Sequence, residues 1–267
     1  MRDPLDPLDL EALEAAARER LDRGVYDYIA GGADDEHSVA SAQTAWSRLR
    51  LRPRVLRDVS EVSMATTVLG NRLRDLRNGF RLPTGLKPAN APPAGAARQR
   101  ELDVDPLAQA GQFDPGLTPE VIGWLADRSG LPVLVKGVLR GDDALACLEA
   151  GAAGVVVSNH GGRQLDTVVA TADALAEVAA AVGDRGEVYV DGGVRRGTDV
   201  VKALALGARA VLVGRPVLWG LAVGGAAGVE RVLSGLAGEL RLAMALCGAP
   251  DLAGLTPDLV AGPGAAS

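Results

Sequence analysis

The chain of 267 residues is long enough for one α/β barrel or two small domains, and 48% of its residues are hydrophobic. This composition is that of a folded globular protein rather than a disordered one. The formal net charge of −6 argues against non-specific binding to nucleic acid, which needs a basic surface. It does not exclude a locally cationic site for an acidic ligand.

Residues 1–70 are predicted to be mainly helical. Apolar residues recur at helical spacing from Leu10 to about Arg23, and a second helical stretch runs from about Asp34 to Leu49. Residues 71–116 are predicted to form a mobile loop or lid. The reason is that residues 81–116 contain six prolines and show no sustained periodicity.

Residues 117–255 alternate short apolar strands with helices, which is typical of βα units. The strands are almost continuously apolar, so both faces of a parallel sheet should be covered. The predicted strands are Leu131–Val138, Gly154–Asn159, Glu187–Asp191 and Ala210–Gly214. The predicted helices are Asp142–Ala150, Thr171–Val182, Thr198–Leu206 and Gly228–Cys247. Residues 256–267 form a tail, and residues 1–267 are interpreted as a single domain.

The two cysteines and the N-terminus indicate a reducing compartment. Cys147 and Cys247 lie in helix-like stretches, where we expect reduced, buried thiols. Neither belongs to a paired Cys/His spacing, so no metal site is predicted. Residues 1–6 lack the apolar core of a signal peptide, and no apolar run approaches the roughly 20 residues that span a membrane. The sequence therefore predicts a cytoplasmic protein without a membrane span.

Polar or glycine-rich residues follow each of the predicted strands. Because function in parallel α/β folds collects at the carboxyl ends of the strands, these segments should meet at one site. The four segments are Lys136-Gly137, Ser158-Asn159-His160, Asp191-Gly192-Gly193 and Gly214-Arg215-Pro216.

The segment Ser158–Asp166 places a His and an Arg three residues apart, with two glycines between them. His titrates near neutrality and accepts a proton, and Arg presents a planar fork that matches a carboxylate. The glycines let a flat ligand approach the backbone. We therefore interpret His160 and Arg163 as the base and the carboxylate clamp of a site that acts on a small carboxylic acid. The alternative for His160 is a structural histidine.

Two further turns are predicted to bind an anion. In Asp191–Gly197, the glycine-rich backbone, the start of the following helix and Arg195 form an anion cradle. Gly214 and Arg215 add a second cationic contact. The alternative is a pair of tight turns with solvated arginines. Lys136 ends an apolar strand, where it either stabilises negative charge on a cofactor or forms an internal salt bridge.

Three other residues have patterns that favour a structural interpretation. Tyr28 either packs in the core, which the pattern favours, or lends its hydroxyl to a ligand. Arg72 lies in the charged run Asn71–Asn78, which is typical of a solvated face. His37, between charged residues on a helix, is predicted to be plain surface.

These motifs together resemble the FMN-dependent α-hydroxy-acid oxidases and dehydrogenases, the family of glycolate oxidase, lactate oxidase and hydroxymandelate oxidase. The resemblance runs from about Leu10 to Pro83 and from Leu117 to about Leu255. It implies a TIM barrel preceded by a helical segment, with FMN bound at the strand ends. It also implies oxidation of a small 2-hydroxy acid to the 2-oxo acid, with oxygen or another electron acceptor. We further predict a homo-oligomer that binds no nucleic acid.

The resemblance also implies roles for individual residues. His160 would be the base and Arg163 the carboxylate clamp, while Tyr28 and Arg72 would make further contacts to the substrate. Lys136 and Ser158 would contact the flavin. The ribityl chain and phosphate would be held by Asp191, Gly192, Gly193, Val194, Arg195, Gly214 and Arg215.

The sequence departs from the family pattern in one place. Residues 66–70 resemble the lead-in to the first barrel strand, but the chain continues directly into Asn71-Arg72, which in the family follows the fourth strand. A block on the order of 100 residues, four βα units at typical barrel size, is therefore absent. We interpret this as an in-frame deletion between similar edges at Gly70/Asn71, or as an artefact of the gene model.

The missing block has consequences for fold and activity. It includes the family aspartate that orients the catalytic His, without which the tautomer and ring angle of His160 are not fixed. We therefore expect an incomplete barrel of α/β class and impaired or absent activity. The alternative function is a non-catalytic half-barrel that binds FMN or phosphate, or that self-associates.

Overall fold

The computed structural model describes residue 5 and residues 8–73 and 116–262. Within these ranges four parallel strands form one sheet and alternate with helices along the chain. The fold is of the α/β TIM-barrel type with four βα units, which confirms the incomplete barrel predicted from the sequence. Apart from its ends, the predicted mobile loop lies outside the described residues.

The N-terminal part of the chain forms helices and short antiparallel pairs. The helix α1 begins after Asp9, whose carboxylate accepts hydrogen bonds from the N–H groups of Glu11 and Ala12 at 3.1 Å. The second helix was not predicted, because its eight residues include Gly24 and follow only a short break. The elements are α1 (Leu10–Arg20), α2 (Arg23–Ala30), α3 (His37–Arg48), β1 (Arg50–Leu51), β2 (Thr66–Val68) and β3 (Asn71–Leu73). Strands β2 and β3 form a hairpin.

The C-terminal part contains the βα units. The elements are α4 (Glu120–Ser129), β4 (Leu134–Val138), α5 (Gly141–Glu149), β5 (Gly154–Val157), α6 (Thr171–Val182), β6 (Glu187–Val190), α7 (Gly197–Ala205), β7 (Ala210–Val211), α8 (Arg215–Leu246) and β8 (Val260–Ala261), with short 3-10 helices at Gly183–Arg185, Leu252–Gly254 and Pro257–Leu259. The four predicted strands are confirmed, although each is shorter than expected. Strands β5 and β6 end earlier because Ser158, Asn159 and Asp191 leave the sheet and form loops at the site. Strand β4 instead begins later, at Leu134, and the pairing of β7 ends at Val211.

The parallel sheet has the order β4-β5-β6-β7. Its apolar residues pack against α5, α6 and α7, and α3 joins the same core through Ala45 and Trp46. Each apolar side chain that folding buries here contributes about 1.5–3 kcal/mol. The two edge strands, β4 and β7, have no further strand partner within the described ranges, as expected for half of a barrel.

Among the described residues, one helix has the length and apolar composition of a membrane span, namely α8. Length and composition therefore do not establish the predicted absence of a membrane span. The backbone of α8 leaves helical geometry at Gly225, and its second half carries Glu230 and Arg231. The helix packs against α1 through Trp219 and neighbouring apolar residues. Because core helices of water-soluble proteins also meet the two criteria, this helix alone is weak evidence for a span.

Both cysteines are free thiols, as predicted. Cys147 lies half-buried on α5, whereas Cys247 is buried directly after α8. Burial raises the pKa of both thiols, so they are largely protonated near neutral pH.

Candidate active site

A cavity of about 260 Å³ lies at the carboxyl ends of the four parallel strands. Its charged and titratable lining residues come from all four strand ends, as the sequence predicted. Four of them are cationic side chains and one is a carboxylate, so the cavity suits an anionic ligand. They are Lys136, His160, Arg163, Asp191, Arg195 and Arg215. Larger grooves of about 430, 590 and 700 Å³ are lined by none of the predicted site residues, whereas another of about 560 Å³ shares Gly193 and Arg195 with the cavity.

Lys136 connects three strand ends within this cavity. Its ammonium donates a hydrogen bond to Ser158 Oγ at 2.7 Å and pairs with Asp191 Oδ2 at 3.0 Å. Ser158 is fully buried, and its hydroxyl also accepts the backbone N–H of His160 at 3.1 Å. The internal salt bridge considered as an alternative is therefore present, but Lys136 also lines the cavity.

The His160 ring packs directly against the backbone of β4. A Cβ atom added to Gly137 would lie only 2.6 Å from His160 Nε2, so the ring takes the space that glycine leaves free. Burial and the charge of Lys136 lower the pKa of His160, while Asp191 opposes this shift. The imidazole is therefore neutral near pH 7 and able to accept a proton. Among residues 8–73 and 116–262, no group is hydrogen-bonded to the ring.

Arg163 and Tyr28 form the other predicted pair. The guanidinium carbon of Arg163 lies 4.2 Å from the centre of the Tyr28 ring, a cation–π contact between the His160 loop and α2. Tyr28 is 52% exposed, so the core position that its pattern favoured is wrong. The contact stacks the guanidinium on the face of the Tyr28 ring; Arg163 lines the cavity, whereas Tyr28 does not.

The loop that carries His160 and Arg163 is anchored to α3 by Asp166. The Asp166 carboxylate accepts the backbone N–H groups of His37 and Ser38, at 3.0 and 2.7 Å, at the start of α3. These hydrogen bonds lower the pKa of Asp166 to about 2. Gly162, with φ of 76°, passes so close to Val39 that a Cβ would meet its backbone N at 2.9 Å. The anchoring role of Asp166 was not predicted, because its partners lie far away in the sequence.

Because of the hydrogen bonds to Asp166, the stability of the folded state should depend on pH in the acidic range. Because folding lowers this pKa from about 3.9 to about 2, the carboxylate stabilises the fold above about pH 4, and the effect is lost as the pH falls towards 2. We expect Asp166→Asn to lower the thermal midpoint at pH 5 and to match the parent near pH 2. Thermal unfolding across this range measures the difference. Asp184→Asn, at an exposed position, is the control, and a difference that persists at pH 2 would contradict the prediction.

The turn at Asp191–Gly197 differs from the predicted anion cradle in one respect. The N–H groups of Arg195 and Arg196 donate to Asp199 Oδ2 at 3.1 and 3.0 Å, and that of Gly197 donates to Glu239 Oε2 at 2.8 Å. The start of α7 is therefore occupied by carboxylates of the chain itself. The prediction that it binds an anion was wrong, because Asp199 lies in its first turn and acts as its cap.

The Arg195 side chain keeps its predicted position in the cavity. Burial lowers the pKa of its guanidinium, which nevertheless stays charged at neutral pH. Its Nη1 donates to the carbonyl of Val194 at 3.0 Å, and the structure shows no other acceptor for this side chain among the residues it describes. By contrast, Arg196 points to Glu239, 3.2 Å away, and does not line the cavity. Arg195 is thus available for an anionic ligand.

Arg215 is mainly a structural clamp. Its guanidinium donates to the carbonyls of Ile29, Gly31 and Gly161, at 2.9, 2.8 and 3.0 Å, and so ties α2 to the His160 loop. Burial and the nearby Arg163 lower its pKa. Gly214 and Arg215 also form the start of α8 at the cavity wall, where no side chain caps the helix. Pro216 has no N–H group, and the N–H groups of Val217 and Leu218 donate to the Gly214 carbonyl, so the start of α8 offers a ligand only the N–H groups of Gly214 and Arg215.

The backbone of Arg72 lies away from the cavity. Its backbone lies in β3, opposite Thr67 in the hairpin. The turn of that hairpin is fixed to β6, because the N–H of Leu69 donates to the Glu187 carboxylate at 3.1 Å. Glu187 begins β6, whereas the cavity lies at the opposite end of the strand. The structure thus gives no support to Arg72 as a substrate contact.

Parallel βα units with a cationic cavity at their carboxyl ends define a barrel-type α/β protein whose cavity suits an anionic ligand. The chain belongs to the FMN-dependent dehydrogenase family, which matches residues 17–73 and 66–262. L-lactate oxidase of Nostoc sp. is 53% identical over 188 residues, which cover 69% of this chain and 52% of that protein. Human 2-hydroxyacid oxidase 1 is 48% identical over 204 residues, 74% of this chain and 55% of that protein. The chain thus spans about half the length of these curated relatives.

Solved structures give the same family relationship. The crystal structure of mandelate oxidase with (S)-4-hydroxymandelic acid superposes with a TM-score of 0.79 and 32% identity, over 95% of this chain and 98% of that one. A flavocytochrome b2 variant with sulfite bound gives a TM-score of 0.81 and 29% identity, over 97% and 88% of the two chains.

The two family matches overlap at residues 66–73. The same short segment thus resembles two positions of the family pattern, one before the first barrel strand and one after the fourth. This overlap supports the interpretation that a block is missing between Gly70 and Asn71. In the structure the segment forms the β2–β3 hairpin.

The site residues fit the phosphate and ribityl parts of FMN. Arg195 and the start of α8 offer cationic and N–H donors for a phosphate. Asp191 Oδ1 and Asn159 Nδ2 are buried polar atoms without a hydrogen-bond partner among the described residues. Such groups are costly unless a ligand or water completes them, and the hydroxyl groups of a ribityl chain have the matching chemistry.

Proposed function

We propose that this chain binds FMN at the carboxyl ends of its strands and oxidises a small 2-hydroxy acid to the 2-oxo acid. The observation that carries the proposal is the convergence of His160, Arg163, Lys136, Asp191 and Arg195 on one cavity. A base, a carboxylate clamp and an anion site are the parts that such a reaction needs. Membership of the FMN-dependent dehydrogenase family supports the same conclusion.

In this proposal, Arg195 and the start of α8 hold the phosphate, and Asp191 binds the ribityl hydroxyls. Lys136 and Ser158 lie beside the flavin, where the ammonium stabilises negative charge. FMN, when bound, supplies the acceptor for the two electrons that leave the substrate. Asp191 orients Lys136 through their 3.0 Å ion pair.

On the substrate side, Arg163 and Tyr28 bind the carboxylate and so fix the position of C2. His160 accepts a proton from the substrate at Nε2, the atom that lies against Gly137. The lowered pKa of His160 keeps the imidazole neutral near neutral pH, so that one of its two ring nitrogens is free to accept a proton. The cation–π contact with Tyr28 limits the motion of Arg163, which lowers the entropic cost of binding the acid.

A second candidate is a half-barrel that binds FMN without catalysis. It is favoured by the His160 ring, which has no hydrogen-bonded carboxylate within residues 8–73 and 116–262. A base whose tautomer and ring angle are not fixed is a poor catalyst. The phosphate end of the cavity depends on Arg195 and α8 and does not need this carboxylate.

One experiment separates the two candidates. The purified chain is mixed with FMN, a flavin spectrum is recorded, and lactate, glycolate or mandelate is added without oxygen. For the enzyme we expect bound flavin that bleaches. Bound flavin that stays yellow supports the half-barrel that only binds FMN. A protein that takes up no FMN contradicts both candidates.

A further inference from the structure

A buried lysine lies beneath the turn that carries Arg195. Lys202 is only 7% exposed and comes from α7, outside the cavity. A buried ammonium is costly unless it is paired and hydrogen-bonded, so its partners show what it stabilises. Both partners of Lys202 are in turn hydrogen-bonded to the Asp191–Gly197 turn.

The first partner is Asp199, whose Oδ1 lies 3.6 Å from Lys202 Nζ. The other oxygen of the same carboxylate accepts the backbone N–H groups of Arg195 and Arg196 at 3.1 and 3.0 Å. Asp199 is also only 7% exposed, and its charge needs a counter-ion close by. Lys202 supplies this counter-ion and so keeps Asp199 in position to bind the turn.

The second partner is the backbone of Trp46 on α3. Lys202 Nζ donates to the Trp46 carbonyl at 2.8 Å, and the indole Nε1 of Trp46 donates to the carbonyl of Gly192 at 2.8 Å. Trp46 is 1% exposed. The turn also lies directly on α3, because a Cβ at Gly193 would come within 2.2 Å of the Ala42 carbonyl oxygen. Lys202 therefore fixes the helix against which the turn packs.

We propose that Lys202 is a positioning residue for the phosphate site. Its ammonium holds the Asp191–Gly197 turn from two sides, through Asp199 and through Trp46, and thereby holds Arg195 in the cavity. Lys202 does not touch the ligand. The inference rests on the proposed binding of FMN at this site.

The test replaces Lys202 by methionine, which keeps a long side chain and removes the charge. Because only FMN carries the phosphate, we expect Lys202→Met to weaken FMN binding about tenfold, the size of effect known for outer partners of metal ligands. Riboflavin binding should change by less than about twofold. Quenching of flavin fluorescence measures both affinities.

A second measurement needs no ligand. In the variant, the amide hydrogens of Arg195 and Arg196 should exchange with solvent about tenfold faster than in the parent, because their hydrogen bonds to Asp199 open more often.

Two further variants distinguish a specific effect on the phosphate site from a general loss of fold stability. Val182→Ala removes a fully buried side chain at the far end of α6 and should weaken the fold without changing the ratio of FMN to riboflavin affinity. The double variant Lys202→Met/Asp199→Asn leaves no unpaired buried charge, so it should fold even if the single variant does not. It should show the same loss of phosphate preference and the same faster amide exchange.

The proposal would be overturned if the folded variants kept both the affinity ratio and the amide exchange of the parent. If the parent itself bound no FMN, the proposed function would fail instead. The exchange of the Arg195 and Arg196 amides would then still decide whether Lys202 holds the turn.

Discussion

Replacing Arg195 by methionine should weaken FMN binding about 100-fold and leave riboflavin binding within about twofold, because a hydrogen-bonded charge contributes about 1.5–3 kcal/mol. The guanidinium is partly buried and lines the cavity, and its single observed acceptor is the adjacent Val194 carbonyl. Its remaining donors are therefore available to a phosphate. Titration of the apoprotein with each flavin, followed by fluorescence quenching, measures the two affinities.

The adjacent arginine provides a matched control. Arg196 carries the same charge, but it pairs with Glu239 and does not line the cavity. Arg196→Met should therefore leave the FMN affinity close to that of the parent. If both variants lost the same affinity, the effect would come from the net charge of the protein, and the assignment of Arg195 to the phosphate would be wrong.

The second large effect is expected at His160. In a chain that reduces bound FMN, His160→Ala should slow the reduction by 2-hydroxy acid about 1,000-fold, within the range known for loss of a general base. FMN should remain bound, because the phosphate end of the cavity does not include this side chain. Rapid mixing without oxygen, with the flavin absorbance as the signal, gives the rate.

The pH dependence of the same reaction tests the state of the base. Burial and Lys136 lower the pKa of His160, so the parent should lose rate only at a pH below the ordinary range of histidine. His37→Ala is the control, since the hydrogen bond of His37 to Asp166 in the site loop uses the backbone N–H, which the substitution keeps. If the His160→Ala variant reduced bound FMN as fast as the parent, the assignment of His160 as the base would be refuted.

Much of the fold could be predicted because each strand is a short run of apolar residues that ends in polar ones. Helix α6 was predicted with its observed bounds, Thr171–Val182. The convergence of the four strand ends on one cavity followed from the geometry of parallel sheets. The helix α2 was missed, since a short helix that includes a glycine has little propensity of its own.

The parts of the site that could not be predicted depend on tertiary contacts. The α7 start was assigned to an anion because the glycine-rich turn and Arg195 stand beside it. Two carboxylates fill it instead, and one of these, Glu239, is distant in sequence. Asp199 could have been recognised, because an acidic residue in the first turn of a helix is a common cap. Trp46 carries no such signal, since its indole donates to a backbone carbonyl that only folding brings close. For Lys202 the pair with Asp199 at i−3 is visible in the sequence, but its contact with the Trp46 carbonyl is not.

Helix α3 contacts both functional halves of the site, although it precedes the sheet in the chain. Its first N–H groups bind Asp166 in the base loop, and Trp46 near its end binds the phosphate turn. The spacing between proton acceptor and phosphate is therefore set by the length of one helix. Because α3 also packs in the core of the sheet through Ala45 and Trp46, the βα units expressed without this helix would lose both that packing and the contacts that align the two loops. In this chain, the N-terminal segment is part of the site's frame rather than an appendage to it.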